Sequence, residues 1–403
     1  MREEVVIVTQ TFYPDPSVGA LRMVELTRYL LSKGYQVTIF CKYQGFSVES
    51  EIIKKEFRSS DISIFYLDRN GIKGEGGLRR NSLKSHIKRQ VVNFLGNMAV
   101  PDFSVFFWRK SFHKIFNYVS EKKVKKVITS SPPHSVHYIG KELKKKLHDI
   151  NWIADFRDPY LIDFRYSPRK AGKLFYHFHK KFYRKVLENA DEILFAIPID
   201  FRWARNRYRN FKSKFTLILN GAPDFLAEIK GNSNFPKKPN VNIASIGRID
   251  TNVITHLYRS LKGKEYLERL DVVGVDIYQD LKLGTEQNPK ITFHSQMAHR
   301  EALSYLLSAD ILISALSEKR QKARLLSSKL FEYCYTGKPL LLINPTLSDR
   351  WLVRNYRRKV ILYSPDADQL SESIDKLHSL TGVASDLQPQ FLRKEQFRNI
   401  KSL

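Results

Sequence analysis

Short apolar runs alternate with longer amphipathic stretches along most of the chain. Near the start, the runs Val5–Thr9 and Val37–Cys41 flank an amphipathic helix predicted over Ala20–Ser32, which Gly34 ends. Strand, helix and strand in this order predict a βαβ unit with a right-handed crossover, and hence a parallel sheet. Further strands of this first series are predicted at Ile62–Leu67, Val127–Ser130, Trp152–Asp155, Glu192–Ala196 and Thr216–Leu219.

A second series of the same kind begins at Val241–Ile246. Its later strands are predicted at Leu270–Val273, Lys290–Phe293, Ile311–Ser314, Leu340–Ile343 and Val360–Tyr363. A chain of 403 residues is long enough for two domains with separate cores. We therefore predict an α/β protein with two Rossmann-like domains whose parallel sheets face each other across a ligand-binding cleft. The predicted boundaries are 1–221 and 241–385 for the domains, 222–240 for a linker, and 386–403 for a tail with a helix packing back on the first domain.

The strongly positive net charge of the chain suggests negatively charged binding partners. Its 68 Lys and Arg against 41 Asp and Glu give a formal charge of +27, and residues 165–214 alone carry 14 basic and 4 acidic side chains. Such surfaces attract nucleic acid, anionic lipid or phosphorylated substrates, although a merely solvated surface has the same composition. Because the sequence carries no nucleic-acid recognition motif, we expect no nucleic-acid partner.

Other features exclude whole classes of protein. The two cysteines, in a predicted strand and a predicted helix, argue against a disulfide framework or a zinc site and fit a reducing, cytoplasmic compartment. No apolar run reaches the roughly eighteen residues of a membrane-spanning helix, and the chain begins directly with a strand, so we expect neither a membrane span nor a signal peptide. Walker and Gly-x-Ser-x-Gly motifs are also missing, which argues against P-loop hydrolysis and serine-esterase chemistry.

A short helix in the second domain carries the clearest candidate site. The helix is predicted to begin after Ser327 and Ser328, which can cap it, and to end at Gly337. Lys329 and Glu332 are three residues apart, so they lie on one face at its N-terminus, where N–H groups and the helix dipole favour an anion. Together they can hold a phosphorylated, hydroxyl-rich ligand. The alternative is that Glu332 only complements the dipole and Lys329 is solvated.

Arg248 adds a second candidate cation, because it follows the first strand of the second domain and is predicted to point into the cleft. Its planar donors suit a pyrophosphate, and with Lys329 it would form a two-cation clamp. The alternative is a surface arginine that braces its own loop.

In the first domain, candidate residues follow the carboxyl ends of predicted strands, where open α/β sheets bind ligands. Gly19 lies after the first strand, at the start of a helix. His134 follows two prolines and can donate a hydrogen bond to a substrate or stabilise developing charge, unless it only caps or packs. Asp155 and Asp158 come next, and either carboxylate can accept a proton from an acceptor hydroxyl. Alternatively, Asp155 braces the loop by pairing with Arg157.

Together these stretches resemble the retaining, GT-B-fold glycosyltransferases grouped as family 4, over nearly the whole chain. The matching motifs are Phe12-Tyr13-Pro14 with Gly19 and Arg22, Ser130-Ser131-Pro132-Pro133-His134-Ser135, Ala154-Asp155-Phe156-Arg157-Asp158-Pro159, and Ser328-Lys329-Leu330-Phe331-Glu332-Tyr333 with Gly337-Lys338-Pro339. The resemblance implies that the first domain binds the acceptor and the second binds the donor. It also implies that no metal or cofactor is needed, because basic side chains neutralise the leaving group.

The family's residue roles carry over to matching positions. By resemblance, Arg248 and Lys329 clamp the donor diphosphate, and Glu332 binds its ribose hydroxyls. Gly19 would let backbone approach the phosphates or the acceptor, and His134 would lie near the transferred sugar. We therefore predict the donor-binding residues Arg248, Lys329, Leu330, Glu332 and Gly19, and the catalytic residues His134, Asp155 and Asp158.

The implied activity is transfer of a sugar, with retention, from a nucleotide diphosphate sugar to a lipid-linked or polysaccharide acceptor. The resemblance implies that this transfer belongs to the biosynthesis of a bacterial cell-envelope glycan, such as capsule, O-antigen or exopolysaccharide. We further expect peripheral contact with the anionic inner face of the plasma membrane. The basic, aromatic surface expected to make this contact comprises Phe106, Phe107, Trp108, Tyr176, Phe178, Phe182 and Tyr183.

Two departures from the family pattern keep alternatives open. Arg324 stands eight positions before Glu332, where the family often has a second glutamate. The donor sugar is therefore open, and an inactive family member acting as an interaction subunit is an alternative. Val18-Gly19 stands where the family commonly has Gly-Gly, and a single glycine can still form the turn. A nucleotide-sugar epimerase of the same double-Rossmann shape is a further alternative.

Overall fold

The computed structural model describes residues 2–15, 17–43, 49–67, 99–162, 172–228, 239–247, 251–261, 263–274, 290–295, 297–315, 326–354, 360–363, 370–381 and 388–403. The chain divides into two compact units, each with its own sheet. The first unit comprises Met1–Asn220 with Gln396–Leu403, and the second comprises Gly221–Glu395. The predicted linker thus begins inside the second unit, where Asp224–Ala227 form a 3-10 helix.

The first unit is built on a seven-stranded parallel sheet with the strand order β3-β2-β1-β4-β5-β6-β7. Its strands are β1 Glu4–Thr9, β2 Gln36–Lys42, β3 Ile62–Leu67, β4 Lys126–Ser131, β5 Asn151–Phe156, β6 Glu192–Phe195 and β7 Phe215–Leu217. Its helices include α1 Val18–Ser32, α2 Ser50–Phe57, α3 Val105–Glu121, α4 His137–Lys146, α5 Lys173–Asn189 and α6 Pro198–Arg207. The strand order reverses between β1 and β4, and ligands bind beside such a reversal in open α/β sheets.

Both faces of this sheet are covered, because residues of a strand point alternately to opposite faces. Along β1, Val5 and Ile7 join the hydrophobic cluster that contains α1, whereas Val6 and Val8 join the cluster that contains α3. Strands buried on both faces explain why the sequence shows nearly continuous apolar runs here. The prediction of a parallel α/β fold is therefore confirmed for this unit.

The packing of α3 and α5 corrects part of the predicted membrane surface. Trp108 and Tyr183 are 0% and 1% exposed, so neither can contact a membrane. Phe106 and Phe178, in contrast, are 56% and 44% exposed. Each helix turns one apolar stripe to the sheet and leaves other aromatic residues outside, which aromatic content alone does not reveal.

The end of the chain packs on the first unit. Phe397 closes helix α12, Arg393–Phe397, and lies 5.8 Å from the ring of Tyr29, while the guanidinium of Arg22 lies over its ring at 5.7 Å. Phe397 and Ile400 are both buried in the cluster that contains α1. Only residues from Gln396 onward belong to this unit, so the part of the predicted tail before that residue belongs to the second.

The second unit has a six-stranded parallel sheet with the order β10-β9-β8-β11-β12-β13. Its strands are β8 Val241–Ile246, β9 Leu267–Val273, β10 Ile291–His294, β11 Ile311–Ala315, β12 Leu340–Ile343 and β13 Val360–Tyr363. Helices within it are α7 Thr251–Leu261, α8 His299–Ser308, α9 Lys329–Thr336, α10 Leu347–Arg354 and α11 Leu370–Ser379. The order reverses between β8 and β11, as it does between β1 and β4. In the described parts of both units, no helix is long and apolar enough to cross a bilayer.

Candidate functional site

Two glycines lie at the carboxyl edge of the second sheet, so the backbone there carries no side chain. Strand β8 ends at Ile246 and is followed by Gly247 with φ +82°, and Gly274 follows β9 with φ +86°. A left-handed φ is unfavourable for any residue with a Cβ, which accounts for glycine at both positions. A Cβ added to Gly274 would lie only 3.5 Å from the Cα of Gly247. These strand ends therefore present main chain, without side chains, to whatever binds beside them.

Helix α9 is fixed to the end of β8 by two side chains. Lys329, its first residue, donates a hydrogen bond from Nζ to the carbonyl oxygen of Ile246 at 3.1 Å. One turn later, the hydroxyl of Tyr333 accepts a hydrogen bond from the backbone N–H of Ile246 at 2.7 Å. Tyr333 is buried, and burial raises the pKa of its phenol. The predicted site helix is thus held beside the strand reversal, with Lys329 directly over the strand end.

The start of α9 is organised by a residue that the sequence did not single out. Ser328 precedes the helix with helical dihedral angles, and its hydroxyl makes no capping hydrogen bond, so the predicted cap is wrong for Ser328. Instead, Asp349 accepts a hydrogen bond from the N–H of Ser327 at 3.2 Å. Asp349 also accepts from the N–H of Thr346 at 2.9 Å, while its own N–H donates to the Thr346 hydroxyl at 3.0 Å. This reciprocal cap of α10 therefore holds the segment that leads into α9.

Glu332 lies in the first turn of α9 and is 6% exposed. Its Oε1 is 2.9 Å from Nε2 of His299, the first residue of α8. His299 was not among the predicted site residues, because 33 positions separate it from Glu332 and its short segment has no recognisable motif. The fold nevertheless brings the starts of α8 and α9 together at this edge.

The remaining predicted donor-binding residues are less informative. Leu330 is 1% exposed, and its N–H donates to the carbonyl oxygen of Ser327 at 3.2 Å, so its part in binding a donor stays a prediction. Arg248 lies outside the described residues, as does Arg324. Of the charged residues predicted to bind the donor, Lys329 and Glu332 lie within the described part of the chain.

In the first unit, the predicted glycine accommodates a side chain of the protein itself. A Cβ on Gly19 would lie 2.4 Å from Nη1 of Arg157. The guanidinium cannot easily move away, because it donates to the carbonyl oxygens of Ser131 at 2.9 Å and Pro132 at 3.2 Å. Burial lowers the pKa of Arg157, and neighbouring Asp155 opposes that effect. Gly19 is thus explained by close packing, and its predicted contact with a donor stays a prediction.

Asp155 forms a buried ion pair, although its partner differs from the one considered in the sequence. Its Oδ1 lies 3.1 Å from Nη2 of Arg22, and its Oδ2 accepts a hydrogen bond from the Ser130 hydroxyl at 2.7 Å. Side chains of the two charged residues are only 2% and 1% exposed. Arg22 also donates to the carbonyl oxygens of Ile218 and Leu219. This network joins α1 to β5 and to the end of the unit, and the catalytic role of Asp155 stays a prediction.

His134 begins a 3-10 helix directly after β4 and is 2% exposed. Its Nδ1 is 3.1 Å from the hydroxyl of Ser131, and its ring packs against Tyr160 with a centroid distance of 4.3 Å. The Tyr160 hydroxyl in turn lies 2.7 Å from Nδ1 of His179, whose pKa burial lowers to about 4. The imidazole of His134 is therefore held firmly in place, which suits either a packing role or a precisely oriented hydrogen-bond donor.

Asp158, the other predicted carboxylate, is partly exposed. It lies near a second acid, Asp200 in the first turn of α6, since its charge adds to the burial that raises the pKa of Asp200 to about 8. A carboxyl group whose pKa is raised by burial and by a neighbouring charge is common at functional sites, although such groups also occur in structural networks. The described residues contain no group of three or more His, Cys, Asp or Glu side chains that could hold a metal ion.

Comparisons with known proteins place this geometry in a wider context. No protein-family model matches the chain, and no curated protein matches it either. Solved structures do. A glycosyltransferase from Rickettsia africae ESF-5 matches with a TM-score of 0.59 at 15% identity, over 99% of this chain and 94% of that one.

Two epimerases match about equally well. UDP-GlcNAc 2-epimerase from Neisseria meningitidis, bound to UDP-GlcNAc, has a TM-score of 0.57 at 12% identity, over 99% of this chain and 98% of that one. The same enzyme from Methanocaldococcus jannaschii has a TM-score of 0.55 at 11% identity, over 99% of both chains. At such low sequence identities a structural match indicates a shared fold and not a shared activity. Two parallel Rossmann-like units that match these structures over nearly their whole length give the chain the GT-B fold.

Proposed function

We propose that this protein is a retaining glycosyltransferase that uses a nucleotide diphosphate sugar and binds it at the carboxyl edge of the second sheet. The observation that carries the proposal is the position of Lys329 and Glu332, which open α9 beside the end of β8 and the bare backbone of Gly247. The cation of Lys329 matches the phosphates of such a donor, and the carboxylate of Glu332 matches its hydroxyl groups. The glycines keep side chains away from this edge.

The chemistry follows from where charge develops. The bond between the anomeric carbon and the diphosphate oxygen breaks, a bond to the acceptor hydroxyl forms, and negative charge accumulates on the departing nucleoside diphosphate. Lys329 stabilises that charge, and Glu332 fixes the ribose by accepting hydrogen bonds from its hydroxyls. Arg248 would supply a second cation, as the family resemblance implies. His134 is assigned to the sugar, on the basis of the same resemblance.

A carboxylate of the first unit takes the acceptor's proton in this proposal. Asp155 is buried, and its two oxygens are engaged by Arg22 and Ser130, so neither oxygen is open to an acceptor hydroxyl. Asp158 is partly exposed and follows the same strand, so it is the better candidate for this role.

The proposal is tested first by ligand binding. Wild-type protein is screened for thermal stabilisation by nucleoside diphosphates and their sugars, since a ligand specific for the native state raises the apparent stability. Lys329→Met and Glu332→Gln are expected to reduce the shift, whereas Lys376→Met, which alters an exposed lysine on α11, should leave it unchanged. No shift with any nucleotide in the wild type would contradict the proposal.

An epimerase is the second candidate, because the two epimerases match the fold with TM-scores close to that of the glycosyltransferase. Product analysis separates the two activities. A transferase releases nucleoside diphosphate and needs an acceptor to do so efficiently, whereas an epimerase returns a nucleotide sugar of altered configuration without any acceptor. If nucleotide binds but neither nucleoside diphosphate nor an epimerised nucleotide sugar is formed, the result would favour an inactive interaction subunit. Arg324, at a position where the family often has glutamate, motivates this alternative.

We extend the proposal to a lipid-linked acceptor, reached by docking on an anionic membrane as in cell-envelope glycan assembly. A groove of about 420 Å³ in the first unit supports this, because it combines phenylalanines with lysines and thus suits acyl chains beside acidic headgroups. It is lined by Val100, Lys141, Phe175, Phe178, Lys181, Phe182 and Lys185.

Vesicle binding tests the docking surface independently of the donor. The wild type should co-sediment at low salt with vesicles that contain phosphatidylglycerol and not with vesicles of phosphatidylcholine alone. Phe178→Ser combined with Lys181→Gln should reduce binding, while Ile52→Ser, which alters an equally exposed apolar residue on α2, should not. Equal binding by all variants, or no binding by the wild type, would contradict docking of this groove on an anionic membrane.

A further inference from the structure

We infer that His299 is a positioning residue that orients the Glu332 carboxylate and thereby makes the site selective for ribonucleotides over 2′-deoxyribonucleotides. This inference rests on the proposed function, because it concerns the same donor site. It adds a residue that neither the motifs nor the resemblance assigns.

The direction of the hydrogen bond follows from its partners. An ionised carboxylate can only accept, so Nε2 of His299 carries the hydrogen that lies between it and Oε1 of Glu332, at 2.9 Å. Glutamate has three rotatable side-chain bonds, and this single contact fixes the terminal one. Within the described part of the chain, Oε2 accepts no hydrogen bond, so it is the oxygen left to face a ligand.

His299 is itself well placed to act as a fixed donor. It is the first residue of α8, and the ring of Phe225 meets its imidazole nearly edge-on, at 5.9 Å and 87°. The guanidinium of Arg300 lies over the other ring of this pair, 5.6 Å from the Phe225 centroid. The imidazole is therefore constrained by a helix start and an aromatic contact before it reaches Glu332.

This arrangement has a consequence for specificity. One carboxylate oxygen can accept hydrogen bonds from both vicinal hydroxyls of a ribose only if its lone pairs are correctly aimed. A site that is built to bond a hydroxyl rejects an analogue that lacks it, because the polar group of the protein is then left unpaired. If Glu332 were free to rotate, this discrimination would fall while the contacts to the phosphates persisted.

The test compares a nucleoside diphosphate with its 2′-deoxy counterpart by calorimetry, using whichever base the wild type prefers. The wild type should favour the ribonucleotide by about tenfold or more, the effect of one hydrogen bond to a charged group. His299→Ala should reduce this ratio to about one and leave the affinity for the deoxynucleotide within about threefold, by the same arithmetic. His299→Gln, whose amide can donate the same hydrogen bond, should recover most of the ratio.

A matched control lies in the same unit. Nε2 of His294 is also 2.9 Å from a buried carboxylate, that of Asp271, in the neighbouring strand β9. His294→Ala removes the same kind of contact from a carboxylate that is not on α9, and it should leave the ratio unchanged.

The outcomes separate the two proposals. A wild-type ratio in His299→Ala, or an equal loss of affinity for both nucleotides, overturns the positioning role. A wild type that binds no nucleoside diphosphate overturns the proposed function instead. If His299→Ala does not fold, His299→Gln and His299→Asn replace it. Asparagine is too short to reach Glu332, so equal ratios in these two variants would also contradict the inference.

Discussion

The two sheets reverse their strand order in the same way, yet they use the charged side chains at their carboxyl edges differently. In the first unit, Arg22, Asp155 and Arg157 are at most 6% exposed and bond to one another's segments or to backbone carbonyls. In the second unit, Lys329 and His299 open helices, and the adjoining strand ends carry glycine. A charged residue after a strand is therefore no sign of a ligand site by itself. What distinguishes the second edge is that its charged residue Lys329 begins a helix beside strand ends whose glycines carry no side chain.

The largest effect is expected from breaking the ion pair of the first unit. Arg22→Met leaves the Asp155 carboxylate buried without its partner, which should lower the free energy of unfolding by about 3–5 kcal/mol. Urea denaturation measures this loss. Arg28→Met provides the control, because its ion pair with Glu56 is solvent-exposed and should contribute no more than about 1 kcal/mol. Similar losses for both variants would mean that the buried pair has no special structural role.

Lys329→Met should produce the opposite pattern in the second unit. Loss of a charged hydrogen bond to the donor diphosphate should weaken nucleotide affinity by about 1.5–3 kcal/mol, or roughly 10- to 150-fold. The free energy of unfolding should change by no more than about 1.5 kcal/mol, because the contact to the described backbone that is lost is the hydrogen bond to the carbonyl oxygen of Ile246. Calorimetry and urea denaturation of the same preparation report both quantities. A variant that unfolds easily but binds normally would reverse the assignment of roles.

Gly19→Ala tests how tightly the first unit is packed around Arg157. Its Cβ would meet the bonded guanidinium of Arg157, so the free energy of unfolding should fall by about 1–3 kcal/mol, as for other overpacked sites. Thermal unfolding in the absence of ligand is the appropriate measurement. Gly34→Ala is the comparison variant. Gly34 has a positive φ, but its Cβ would meet nothing within 4 Å, so this variant measures backbone strain without a clash. Unchanged stability of Gly19→Ala would show that Arg157 moves aside freely.

The pH dependence of stability should reveal Asp200 in the first unit. An unfolded aspartate titrates near pH 4, whereas burial raises the folded pKa of Asp200 to about 8. Between those values the folded state holds a proton that the unfolded state has released. The free energy of unfolding therefore falls as pH rises, by about 1.4 kcal/mol per unit, until the folded pKa is passed.

Asp200→Asn removes this titration, so its unfolding free energy should be less dependent on pH between about 6.5 and 8. The pH window starts at 6.5 to avoid the titration of buried His137, whose folded pKa is lowered to about 3. This histidine reduces the free energy of unfolding only when the pH falls below the ordinary histidine pKa of about 6.5. Chemical denaturation at several pH values measures both slopes. Parallel slopes for the wild type and the variant would contradict a neutral, buried Asp200.

Much of the fold was predictable from local pattern. Strands Ile62–Leu67, Val241–Ile246, Leu340–Ile343 and Val360–Tyr363 have the bounds predicted for them. Others were predicted too short where polar residues interrupt the apolar run, as in β9, which begins at Leu267 and includes Glu268 and Arg269. Pairing with β8 extends to Leu267 and Arg269, with a register shift that leaves Glu268 unpaired, and hydropathy does not report this pairing.

The candidate site was predictable only as far as its residues lie in one segment. Lys329 and Glu332 could be found because they share a helix with recognisable ends. His299 and Asp349 could not, because their contacts with this helix arise from tertiary packing across 33 and 22 positions. For the same reason the sequence placed Asp155 beside Arg157, its neighbour along the chain, whereas the fold pairs it with Arg22. Contacts between distant segments depend on the sheet order, which periodicity does not determine.

Hydrogen–deuterium exchange with and without a saturating nucleoside diphosphate shows which unit binds the nucleotide. We expect slower exchange on ligand binding in residues 245–247 and 327–336 of the second unit. We expect no comparable change around Arg22 and Asp155, whose charges are satisfied within the protein. Protection confined to the first unit, with the start of α9 unaffected by bound nucleotide, would contradict a donor site on the second sheet.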